Sequence, residues 1–325
     1  MNKNTPIDIS EIGMNGYVSA SNVMTLRRSV FADGVVSAEE LDALFQLGER
    51  APDGDREWSD YFAEAAADFY LREEEPNGYL TDAEFHTLRE RITRDGEKAS
   101  TLELHLLVKL METAVETPQP MAAFTATQIK RHIVEKTGGA FVSPDDVHLM
   151  SRFIFAAGGD GNIAVTKQEA ELLFDINDAV ARSAASDKTA PAWADFFKKA
   201  IANHLMAHIG ASPLGRKEAL QLHADFKDDS ARAPISGPRD LWARLRLSLS
   251  SPSKNLEKRH GALNKARAAE AAVAEKITAE EADWLADRIG RDGDFDERER
   301  ALLDHMRSLD ADLPPKLKAL VDKAA

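Results

Sequence analysis

The sequence predicts an all-α fold on three observations: its composition, a recurring helix-start signal and internal repetition. Of 325 residues, 30% are charged and only 7% aromatic, a balance that favours helices because strands draw on aromatic and β-branched residues. A hydroxyl or carboxylate residue is followed three positions later by an acid at Ser37/Glu40, Thr81/Glu84, Ser100/Glu103, Ser143/Asp146, Thr166/Glu169, Thr278/Glu281 and Asp296/Glu299. In such a pair the first side chain accepts from the amide three residues on, and the acid returns to the first residue's amide, which satisfies donors a helix start otherwise orphans. Finally, residues 17–32 align without a gap onto 141–156, and 18–45 onto 277–304.

Taken in order, the first copy reads as a helix from about Ser19 to Phe31, a turn at Asp33-Gly34 and a helix opening at Ser37. Leu41, Leu44 and Phe45 then keep the three-to-four spacing of a buried stripe. Next, Trp58-Ser59-Asp60-Tyr61-Phe62 matches Trp193-Ala194-Asp195-Phe196-Phe197. Trp58, Phe62, Ala65 and Phe69 fall on one helical face, as do Trp193, Phe197, Ala200 and His204, and large aromatics at this spacing read as core. Gly16 and Gly34 are 18 residues apart, as are Gly78 and Gly96, with one helix fitting inside each pair. The second copy lengthens its loops around Gly158–Val165 and after Ala181, where insertions are tolerated over a retained helix frame. The expected organisation is a first helical unit over 1–120, ending at the Pro-marked break 117–120, a second over 121–226, a linker over 227–256, and a third half-copy over 257–325.

Zero cysteine excludes disulfides, iron–sulfur clusters and thiolate chemistry. No apolar core of signal-peptide length opens the chain and no stretch approaches the span of a membrane helix, so a soluble cytoplasmic protein is expected. A net charge of −14 opposes nucleic-acid binding by the whole molecule and permits binding of cations or basic partners.

The Asp-Gly turns resemble EF-hand loops in their second half. That loop takes oxygen ligands at positions 1, 3, 5 and 12 and glycine at 6. Around Gly78 the residues in register are Glu73, Glu75, Asn77 and Glu84, the fullest set in the chain. Around Gly34 they reduce to Asp33 and Glu40, because Ser29 and Phe31 stand at positions 1 and 3. Around Gly293 they are Asp292, Asp296 and Glu299, with Arg288 and Gly290 at the early positions. Calcium is the cation such sites would take. The competing reading is that Asp-Gly makes the turn and the acid completes a helix cap. The stretches ADGVVSAEE at 32–40 and RDGDFDERE at 291–299 also resemble the short signature of TerB-like domains of tellurite-resistance proteins. That resemblance implies a helical domain with metal ligands at Asp33, Glu40, Asp292 and Glu299, and a stress-response role.

His204 and His208 stand four apart, the spacing that aims two imidazoles at one metal, but Leu205 occupies the place of a zincin's glutamate base. His204 instead aligns with Phe69, a core-face position. No phosphate loop, dinucleotide fingerprint or nucleophile elbow occurs. From Arg232 to Arg267 nine basic residues face two acids, and Leu241, Leu245 and Leu247 alternate there with Trp242, Arg244 and Arg246, as in an extended docking segment. The leading expectation is a non-enzymatic binding or scaffolding protein with structural turns. The alternatives are a calcium sensor or buffer, and a stress-response protein or a nucleic-acid contact through the basic segment.

Overall fold

Helix starts organise the chain. In the computed structural model, the described residues are 12–30, 36–73, 77–94, 98–157, 165–207, 279–289, 291, 295–309 and 315–324. They form 12 α-helices and two short strands, so the all-α expectation holds. Residues 1–159 and 165–200 make one compact unit, and 160–164 with 201–325 the other.

The first unit begins with β1 (Tyr17–Val18), α1 (Ala20–Val30), α2 (Ala38–Arg50), β2 (Asp53–Gly54) and α3 (Arg56–Asp68). β1 and β2 pair in parallel, Tyr17 opposite Asp53 and Val18 opposite Gly54. Gly54 is required there, since a Cβ would meet the Val18 carbonyl oxygen at 2.6 Å. Asp55, at the start of α3, then accepts from the Ala20 amide at 2.7 Å and so caps α1. A π-helical turn, Phe69–Glu73, ends α3. It corrects the expected face: Trp58, Phe62 and Ala65 are buried, but Phe69 is half-buried because the widened turn brings Tyr70 and Leu71 into the core instead.

There follow α4 (Asp82–Ile92), α5 (Thr101–Thr113), α6 (Pro120–Val134), α7 (Pro144–Ala157), α8 (Lys167–Ala181) and α9 (Pro191–Ala207). Tyr79, before α4, pairs in parallel with Glu116, and the Val142 carbonyl, before α7, accepts from Ala190 at 2.8 Å as Val18 accepts from Asp55 at 3.0 Å. The Trp58, Met121 and Trp193 amides each donate three residues back, to Asp55, Pro118 and Ala190, at 2.8, 2.9 and 2.9 Å. α5 is apolar nearly all round and lies at the centre, packed on α3, α6 and α7. α3 packs on α5 in the way α6 packs on α8, each third helix resting on the second helix of the next triplet. The break at 117–120 separates α5 from α6, both inside this one unit.

Aromatic contacts recur at aligned positions. Phe45 meets Phe62 edge-on at 5.1 Å and Phe174 meets Phe197 edge-on at 5.1 Å. Trp58 and Trp193, 1% and 0% exposed, sit 5.7 and 6.0 Å from those same phenylalanines. In the second unit α10 (Ala279–Arg288) and α11 (Glu297–Leu309) both pack on α12 (Pro315–Ala324), around Leu285, Leu303, Met306, Leu317 and Val321.

Candidate functional site

Six of the seven helix-start pairs lie within the described residues, and all six form. Glu40 Oε2 accepts from the Ser37 amide and hydroxyl, both at 2.9 Å, and Ser37 Oγ accepts from the Glu40 amide at 3.3 Å. Glu84 Oε2 does the same for Thr81, at 2.6 Å to each donor. Asp296 and Glu299 exchange bonds of 3.0 and 2.8 Å. Ser100/Glu103, Ser143/Asp146 and Thr166/Glu169 complete the set. Burial pushes the Glu103 and Glu169 carboxyls up. Thr278 lies outside the described residues.

The expected metal ligands therefore divide. Glu40, Glu84, Asp296 and Glu299 sit at caps, and Asn77 is exposed beside Gly78, whose φ of 84° needs glycine. Asp33, Glu75, Asp292 and the side chain of Glu73 lie outside the described residues. Among the described residues no three His, Asp or Glu side chains group to hold a metal ion.

Sequence reading missed a polar cluster between α3, α5 and α7. Arg152 forks onto Glu112 at 2.8 and 2.7 Å and lies 3.4 Å from His105 Nδ1, while Arg56 lies 3.3 Å from His148 Nε2. Because a guanidinium only donates, both ring nitrogens accept. Burial, with the Arg152 charge behind it, lowers His105 to about 4. Its folded value lies below its unfolded one of about 6.5, so the unfolded chain binds the extra proton first and stability falls as pH drops from about 6.5 towards 4. Denaturant unfolding at pH 7 and pH 4.5 is expected to differ less in His105→Gln than in the parent chain, by about 2 kcal/mol. An unchanged difference would show that this imidazole does not titrate as its burial requires.

The first unit also contains a cavity of about 350 Å³ where α2, α3, α4 and α5 converge. Its apolar wall is Phe45, Phe62, Ile92 and Leu102, and its cations are Arg91, Arg94 and Lys98. Arg91 is held in place, its guanidinium 3.9 Å over the Phe45 ring and bonded to Asp42 at 2.5 Å. Lys98 Nζ donates to the neutral Glu135 carbonyl at 2.9 Å. Glu49 and Glu103 also reach the lining.

His204 is 3% exposed, its ring edge-on to Trp284 at 5.0 Å, which is how a core histidine packs. His208, the basic stretch 232–267 and the docking residues Leu241, Trp242, Arg244, Leu245, Arg246 and Leu247 lie outside the described residues. Among the described residues no helix is long and apolar enough to cross a membrane. Comparison with family models, curated proteins and solved structures finds no match to this chain.

Proposed function

We propose that this protein is a non-enzymatic binding protein built by stacking one three-helix unit, in which the acidic turns start helices rather than hold cations. First helices open at Ala20, Asp82, Pro144 and Ala279, second helices at Ala38, Thr101, Lys167 and Glu297, and third helices at Arg56, Pro120, Pro191 and Pro315. Every second helix follows a reciprocal cap. The signal for the α4–α6 copy is present in the sequence, where Asn15-Gly16-Tyr17 and Thr25-Leu26-Arg27 recur 62 residues on as Asn77-Gly78-Tyr79 and Thr87-Leu88-Arg89. On this reading the last copy is more than half a copy. Leu317 and Val321, both buried, stand at the same steps from the start of α12 as Trp58 and Phe62 from the start of α3. Repeats of this kind are stable through stacking and present extended surfaces for binding.

The observation that carries the proposal is the engagement of Glu40 and Glu84 with their own caps, one carboxylate oxygen accepting both amide and hydroxyl. Calcium titrated calorimetrically into the chelator-treated full chain is expected to give no binding heat up to about 1 mM, the weak end of such sites. Glu40→Ala and Glu84→Ala should each lower unfolding free energy by about 1 kcal/mol, equally with and without calcium. A calcium heat that disappears in Glu84→Ala would establish the Gly78 turn as a cation site and the protein as a sensor or buffer.

A further inference from the structure

We infer that the cavity between α2 and α4–α5 is a binding site for a small organic anion, a flat apolar body carrying one carboxylate. The inference rests on the stacked-unit reading above for its internal comparison. It is tested separately from the calcium experiment, because it concerns occupancy of a different place.

At the next junction of the stack, α5 meets α7, and the residue aligned with Gly48 is Met111 while that aligned with Arg91 is Phe153. Both are buried, at 8% and 1% exposure. α2 and α4 pack far less closely than α5 and α7, and where the second junction places a thioether and an aromatic ring, the first has no side chain at Gly48 and a cation at Arg91. Close packing is the default between helices, and the residues lining an open pocket forgo those contacts. A glycine inside α2 adds its own cost relative to a side chain.

The lining sets the ligand's chemistry. Phe45, Phe62, Ile92 and Leu102 offer apolar surface to a flat body, and a volume of about 350 Å³ lies in the range that holds small molecules. Among the described residues the lining carries three cations and two carboxylates, Asp42 is bonded to Arg91 beside it, and the three cations differ in how they are engaged. Arg91 is pre-oriented by Phe45 and Asp42, Lys98 donates to the neutral Glu135 carbonyl, and Arg94 has no carboxylate partner among the described residues. Of the acids, Glu103 is tied to the Ser100 cap, its Oε2 accepting from the Ser100 amide and hydroxyl, both at 2.8 Å. A planar guanidinium matches a carboxylate through two parallel hydrogen bonds, and Arg94 is placed to make them.

The test uses 2-naphthoate, its neutral analogue 2-naphthamide, and inorganic phosphate, each titrated into the full chain and followed by calorimetry and by backbone amide shifts. Expected are saturable binding of 2-naphthoate with shifts at Gly48, Arg94 and Leu102, binding at least tenfold weaker for 2-naphthamide, and none for phosphate. Gly48→Met, which installs the side chain found at the second junction, should abolish binding while the chain stays folded. Its Cβ lies 3.0 Å from a Leu102 methyl that can move aside. Arg94→Gln, at an exposed position, should weaken 2-naphthoate about tenfold and leave 2-naphthamide unchanged. The inference is overturned if 2-naphthoate does not bind at 10 mM, if 2-naphthamide binds equally well, if phosphate alone binds as tightly, or if neither substitution changes the affinity.

Discussion

Replacing Trp58 with alanine is expected to destabilise the first unit by about 4 kcal/mol, the range for deleting a large aromatic side chain from a packed core. Trp58 is 1% exposed, touches Phe62 edge-on at 5.7 Å, and its indole donates to the buried Ala51 carbonyl at 3.2 Å. Its counterpart Trp193 is equally buried, but its Nε1 has no hydrogen-bond partner among the described residues. The conservative change therefore separates packing from hydrogen bonding. Trp58→Phe leaves the Ala51 carbonyl orphaned, whereas Trp193→Phe removes a donor that has no acceptor among the described residues, so the first should cost about 1 kcal/mol more than the second. Equal losses in denaturant unfolding would mean that the indole bond to Ala51 adds nothing to stability.

Asp146→Ala is the second large effect, about 3 kcal/mol. Asp146 is 4% exposed and accepts from the Ser143 amide and hydroxyl at 2.6 and 2.7 Å, from His132 at 3.3 Å and from Lys136. Removing it uncaps α7 and leaves a lysine that is itself largely buried without its anion, the situation in which a broken buried pair is most costly. Burial alone would raise its carboxyl, but the bonds from His132, Lys136 and Ser143 outweigh burial and hold it well below the ordinary range. The folded value is thus depressed. Its contribution is complete above the unfolded value of about 4 and is lost as pH falls through the folded one. Asp146→Asn should accordingly flatten the stability profile below about pH 4 relative to the parent chain. Parallel profiles for the two proteins would remove Asp146 from the acid transition.

What could be read in the sequence follows from the range of each interaction. Ser37/Glu40 and its kin were legible because a reciprocal cap lies within four residues of chain, so the letters alone specify its donors and acceptors. Trp58 and Phe62 were legible as core from their spacing. Phe69 was not, since the π-turn that turns it outward depends on how α3 ends against its neighbours. His105 could be placed on a buried helix, but the guanidinium that makes it an acceptor comes from 47 residues away. Asp146 was legible as a capping acid, and its role as the anion for Lys136 and His132 was not. The cavity was illegible for a related reason. Gly48 reads as an ordinary glycine until α4 and α5 are laid against α2.

The sequence by itself determined the helical class, the places where helices begin and the repeated aromatic faces, because capping and periodicity act over one or two turns of chain. The tertiary structure alone decided which helix of one copy rests on which helix of the next, and so which junction is plugged and which is open. Gly48 and Met111 hold aligned places in α2 and α5 and both are buried, so the volume left to their neighbours differs by a whole side chain, which no local signal records.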